Sequence, residues 1–220
     1  MSPRIALLPI FILMIAAPAS ALDWSAPSSR AGTFEVSLQT RYTGSRDASF
    51  EGGSSISMED DLGWGFGFAY NFGHRFSLGT TMSWRSAYYQ ATLVDGTDPT
   101  NTETIASQMD MSNIALTGNW NIMRGALTPY VTGSVGWMII NSNIPAGSAS
   151  GCWWYPWWGY VCGSVPLTYG ADAATGIVGG GLRYEPNQTM FLRAGYEYGW
   201  ASEDPVEGAH VVRFEIGLVL

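Results

Sequence analysis

Few residues of this 220-residue chain are of types that could carry chemistry. Five arginines, Arg41, Arg85, Arg183, Arg193 and Arg213, and four glutamates, Glu35, Glu185, Glu197 and Glu215, interrupt otherwise apolar stretches. Charges in such surroundings must neutralise one another, because an unpaired ion in a low dielectric is strongly unfavourable. The two histidines, His74 and His210, stand far apart, and Val211 and Val212 follow His210 with no His-x-Ser pair. Two thiols and two distant imidazoles do not make a metal set. The sequence therefore leads us to expect no catalytic residues, no cofactor and no metal. Between Cys152 and Cys162 lies a run of six aromatics around Pro156: Trp153, Trp154, Tyr155, Trp157, Trp158 and Tyr160.

The first residues address the compartment. Arg4 precedes an apolar run from Ile5 to Ala17 and the small-x-small sequence Ala19-Ser20-Ala21, the pattern of a secretory signal cleaved after Ala21. The run is shorter than the roughly 20 apolar residues of a spanning helix and contains Pro9. Export implies an oxidising environment, in which a Cys152–Cys162 disulfide is the default. Closing so small a loop contributes roughly 3 kcal/mol on the chain-entropy estimate. The stiffened aromatic loop has two readings. One is a surface platform for sugar rings, lipopolysaccharide or a partner protein; the other is packing over a mouth or into lipid headgroups, where Trp and Tyr are favoured.

Composition narrows the class. The chain has 27 Gly, 10 Trp and 11 Tyr, only 13% charged residues and a net charge of −8, all ten basic residues being Arg. That balance argues against nucleic acid as a partner. No later apolar run is long enough to span a bilayer as a helix.

These side chains need a scaffold, and period-two alternation supplies one. Eight segments alternate. Phe34, Val36, Leu38, Thr40 and Tyr42 oppose Glu35, Ser37, Gln39 and Arg41; Leu62 through Phe72 at even positions oppose Gly63, Gly65, Gly67, Ala69 and Asn71. The series Phe76 to Trp84 and Ile114 to Ile122 behave alike, and Leu127 to Ile139 alternates with less clear parity. Val178 to Tyr184, Leu192 to Trp200 and Val212 to Leu220 complete the set. Each approaches the ~9 to 11 residues needed to cross a bilayer tilted. The second faces carry Gly, Ala, Ser, Asn and charges, whereas a soluble sandwich would bury its apolar faces together. Connections alternate between short (71–75, 123–126, 185–189) and long (44–61, 89–111, 141–176, 201–209), as barrels with periplasmic turns and outer loops do. The expectation is an all-β, eight-stranded antiparallel up-and-down transmembrane β-barrel. It divides the chain into a signal peptide at 1–21, a periplasmic lead-in at 22–32 and the barrel at 33–220.

Three stretches carry a resemblance: Leu127-Thr-Pro-Tyr-Val131 followed by Gly133 and Gly136, Gly179-Gly-Gly-Leu-Arg-Tyr184, and Leu192-Arg-Ala-Gly-Tyr196. They resemble the small outer-membrane barrels of the OmpA/OmpX/OmpW-like group, whose outer membrane protein beta-barrel domain would span the whole mature chain. The C-terminal strand is similar to the signal by which such barrels are recognised for insertion, although it ends in Leu220 rather than the usual aromatic residue. The resemblance implies fold and location, with outer-membrane lipid and lipopolysaccharide as surroundings. Some eight-stranded barrels modify lipid A with a His, a Ser and an acidic residue at the outer rim; only His210 is placed for that, so no enzyme is expected.

Eight strands enclose a lumen that inward side chains can fill. The Arg and Glu residues named above read as an interior network that plugs it, the alternative being a narrow pore for small solutes. Glu59, Asp60 and Asp61, with the acids near 95–98 and 203–207, read as solvated loop charges rather than as a cation site. The role expected is structural, or surface recognition of a glycan or protein through the outer loops, by a monomer.

Overall fold

The structure, a computed structural model, describes residues 28–49, 53–94, 102–155, 159–202 and 208–220, with backbone alone for 144–155 and 159–169 and at a few loop positions. The signal peptide at 1–21 falls outside the described residues.

Ten strands form one antiparallel sheet: β1 (Phe34–Thr43), β2 (Arg46–Ser49), β3 (Ser55–Met58), β4 (Asp61–Asn71), β5 (Phe76–Val94), β6 (Thr102–Asn121), β7 (Leu127–Tyr155), β8 (Gly159–Asn187), β9 (Met190–Ala201) and β10 (Ala209–Val219). Eight of them close into a barrel. The β5–β6 pairing joins the two arms of the sheet, and β1 pairs with both β4 and β10. The short hairpin β2–β3 lies outside that ring and adds to the far part of β5.

The wall follows from alternation. On β4, even positions from Leu62 to Phe68 are exposed and odd positions from Asp61 to Gly67 are buried. β10 repeats this along its whole length. The β7 segment with less clear parity alternates strictly, with Leu127 to Ile139 at odd positions outward and Thr128, Tyr130 and Thr132 buried. The outward residues form a band bounded by rings. At the turn end, Phe34, Tyr70, Phe72, Phe76 and Trp120 succeed one another at centroid separations of 4.9 to 6.3 Å. At the loop end stand Trp64 against Trp84, and Tyr196 and Tyr198 around His210. Such girdles mark the two interfaces of a membrane barrel.

Two expected loops are strand instead. Most of 89–111 continues β5 and β6, paired from Arg85↔Met111 out to Val94↔Thr102, and most of 141–176 is the β7–β8 hairpin. The physical reason is a reversal of polarity. Beyond Trp84 the outward residues become Ser86, Tyr88 and Gln90, while Ala87, Tyr89, Met109 and Met111 turn inward and pack with Met58 in a small apolar core. A strand in lipid shows its apolar face outward, and the same strand in water must hide it. The reversal dates the end of the lipid band to the level of Trp84. Just beyond it β7 leaves β6 after Asn141, and Asn143 is held at φ 55°. Its amide donates to Asp110, whose exposed carboxylate is kept below its ordinary range by hydrogen bonds from Ser86 and Asn143.

Candidate functional site

The lumen gathers the charges. Because side chains two apart along a strand share a face, Glu35 and Arg41 of β1, Arg183 and Glu185 of β8, Arg193 and Glu197 of β9, and Arg213 and Glu215 of β10 all point inward. The register then sets like beside like: Arg183 lies opposite Arg193, and Arg41 opposite Arg213. Facing cations repel. In each case a glutamate from another strand relieves the pair. Glu35 takes Arg183 at 2.7 and 3.1 Å and Arg193 at 2.6 Å, and Glu197 takes Arg41 at 2.9 Å and Arg213 at 3.1 Å. Glu215 links Arg193 at 3.1 Å to Arg213 at 3.9 Å.

One further partner closes the series. Arg30, from the stretch expected to be a lead-in, is fully buried in the turn-end mouth. It donates to Glu185 at 2.8 Å, and to the carbonyls of His74 at 2.6 Å, Met123 at 2.9 Å and Gly125 at 3.5 Å. Glu185 also binds Arg183 at 2.8 Å. The result is an unbroken chain of alternating sign along the lumen: Arg30, Glu185, Arg183, Glu35, Arg193, Glu215, Arg213, Glu197, Arg41.

Arg85 stands apart from that chain. It pairs with Asp61 at 2.9 Å, so Asp61 is a buried partner and not the solvated loop charge expected of it. Its parity, shared with Gly63 and Gly65, carried the signal. Sequence reading also missed two inward aromatics. Phe191 has the guanidinium groups of Arg183 and Arg193 over its ring at 4.3 and 4.5 Å. It fits because Gly217 faces it: a Cβ there would collide with the ring. Tyr130 accepts from Arg213 at 3.4 Å and occupies the space that Gly195 leaves open. Among the described residues the middle of the lumen retains a void of about 20 Å³ between Glu35, Arg193, Arg213 and Glu215. That is room for about one water.

The remaining sequence candidates lie elsewhere. Cys152 and Cys162 stand opposite each other in the β7–β8 hairpin, but their side chains, and those of Trp153, Trp154, Tyr155 and Tyr160, are outside the described residues, as are Trp157 and Trp158 altogether. His210 faces outward and hydrogen-bonds through Nδ1 to the Tyr196 hydroxyl at 2.5 Å, and His74 is in the β4–β5 turn.

The family model for the outer membrane protein beta-barrel domain matches residues 9–218. The chain belongs to that family. It is thereby an outer-membrane protein. Its fold is similar to that of the outer membrane protein OprG from Pseudomonas aeruginosa, with a TM-score of 0.54 at 12% identity, covering 89% of this chain and 99% of that one. It also matches Neisserial surface protein A, with a TM-score of 0.48 at 12% identity over 85% of this chain and 96% of that one. No curated protein matches the sequence.

Proposed function

We propose that this protein is a monomeric barrel with a closed lumen, serving a structural or surface-recognition role at its loop end. The observation that carries the reading is the alternating Arg/Glu chain, which fills the lumen from Arg30 to Arg41. Each carboxylate in it binds two arginines, so opening a path would strand buried charge. Recognition falls to the β7–β8 hairpin, whose register sets Cys152 beside Cys162 for a disulfide and whose aromatics would meet a glycan, lipopolysaccharide or a surface protein. The reading assigns no catalysis.

Planar-bilayer recording of the purified full-length protein tests closure. We expect no reproducible single-channel steps from the native protein, and steps from it would replace the plug with the narrow-pore reading. Replacing Trp153, Trp154, Trp157 and Trp158 with Ala tests the hairpin: binding to whole cells or glycan arrays should fall, and unchanged binding would remove the platform.

A further inference from the structure

Above the ion-pair chain, at the loop end of the lumen, lies a second and larger cavity of about 80 Å³. Its ionisable lining is one-sided. Among the described residues Arg41, Arg46 and Arg85 face it and no acidic residue does, Glu197 and Asp61 holding Arg41 and Arg85 from outside the lining, in a chain whose net charge is −8. Asn113, Ser83 and Thr175 supply its polar wall. We propose that this chamber binds a small tetrahedral oxyanion of the phosphate or sulfate type, either free or as the terminal group of a sugar.

Three features support the assignment. First, Arg46 has no carboxylate within ion-pair distance among the described residues, and its Nη2 donates to the Met58 sulfur at 3.8 Å. Placed by the β2–β3 hairpin, it is half-buried, and burial followed by the charge of Arg85, partly offset by Asp61, lowers its pKa to about 10, so it stays a cation at neutral pH. Second, the other two arginines are only partly engaged. Arg41 meets Glu197 through Nη2 and Arg85 meets Asp61 through Nη1, which leaves donors of both planar forks to be shared with an anion. Third, Asn113 donates to the Thr175 hydroxyl at 3.3 Å and leaves its buried carbonyl oxygen without a partner, an acceptor that can take the O–H of a protonated anion such as hydrogen phosphate. Guanidinium forks match the oxygen geometry of phosphate and sulfate. The volume corresponds to several water spheres, which suits such an ion with little room beyond it.

Isothermal titration calorimetry of the refolded protein in detergent micelles tests this, with sodium phosphate and glucose 1-phosphate as titrants in a constant chloride background. We expect saturable one-to-one binding, weakened at least tenfold in Arg46→Gln and unchanged in Arg124→Gln, an exposed turn-end arginine. Binding of phosphate alone, or of both titrants, supports a free-ion site; binding of the sugar phosphate alone supports a terminal group. No saturable heat from either, or equal affinity in Arg46→Gln, overturns the proposal. The native titration decides the matter if the variant does not fold. Because bilayer recording reads conductance and calorimetry reads binding, closure and anion binding can fail separately.

Discussion

The two halves of the lumen are built from the same strands by the same alternation and differ in charge balance. Toward the turns, arginines and glutamates alternate, the void between them is about 20 Å³, and every carboxylate is shared. Toward the loops, Arg41, Arg46 and Arg85 line about 80 Å³; Glu197 and Asp61 each hold one of them from behind, and among the described residues Arg46 has no carboxylate within ion-pair distance. A segment whose charges are paired internally suits the structural role we propose, whereas the one that holds Arg46 is where we propose the anion binds. The difference teaches that a buried charge is structural when its partners are already present, and available for a ligand when they are not.

Substitutions can break or sharpen that contrast. The largest effect should come from Glu35→Ala, which leaves Arg183 and Arg193 facing each other; we expect a loss of about 3–5 kcal/mol in urea unfolding from micelles. A loss below about 1 kcal/mol would put this pair in the class of exposed ion pairs and erase the distinction between halves. Gly217→Val should cost about 1–3 kcal/mol by overpacking Phe191, with a loss of the near-UV aromatic signal. Native signal and stability there would mean that Phe191 does not need that space. Arg46→Gln should leave stability within about 0.5 kcal/mol, since no internal partner is stranded. A large loss on urea titration would make the upper arginine as structural as the lower ones.

Much of this was legible in the sequence. Period two sorted the inward charges Glu35, Arg41, Arg183, Arg193, Glu197, Arg213 and Glu215 because lipid and lumen demand opposite chemistry on successive residues. Reading for apolar residues on the outer face failed beyond Trp84, where water replaces lipid and the faces exchange roles, so the continuation of β5 and β6 looked like loop. Arg30 was illegible for a different reason. It belongs to no strand, and only the folded chain shows its guanidinium reaching carbonyls of two turns and a carboxylate of β8. Asp61 and Phe191 were within reach, since each shares parity with inward neighbours, but the acidic run at 59–61 and the apolar segment starting at Leu192 masked them.

The seam between β1 and β10 joins Glu35 to Val219, so the last ring of hydrogen bonds waits for both ends of the chain. Pairing so distant in sequence is slow, because the entropy of closing the loop must be met before any contact forms across it. Glu35 and Arg41 come from one side of that seam, and Arg193, Glu197, Arg213 and Glu215 from the other. Until it shuts, Arg193, Arg213, Glu197 and Glu215 can pair only among themselves, and Glu35 and Arg41 are held away from their partners across the seam. Completion of the lumen network therefore depends on closure of that seam, and a chain that loses its first strand leaves Arg183 and Arg193 without Glu35 rather than forming a smaller barrel.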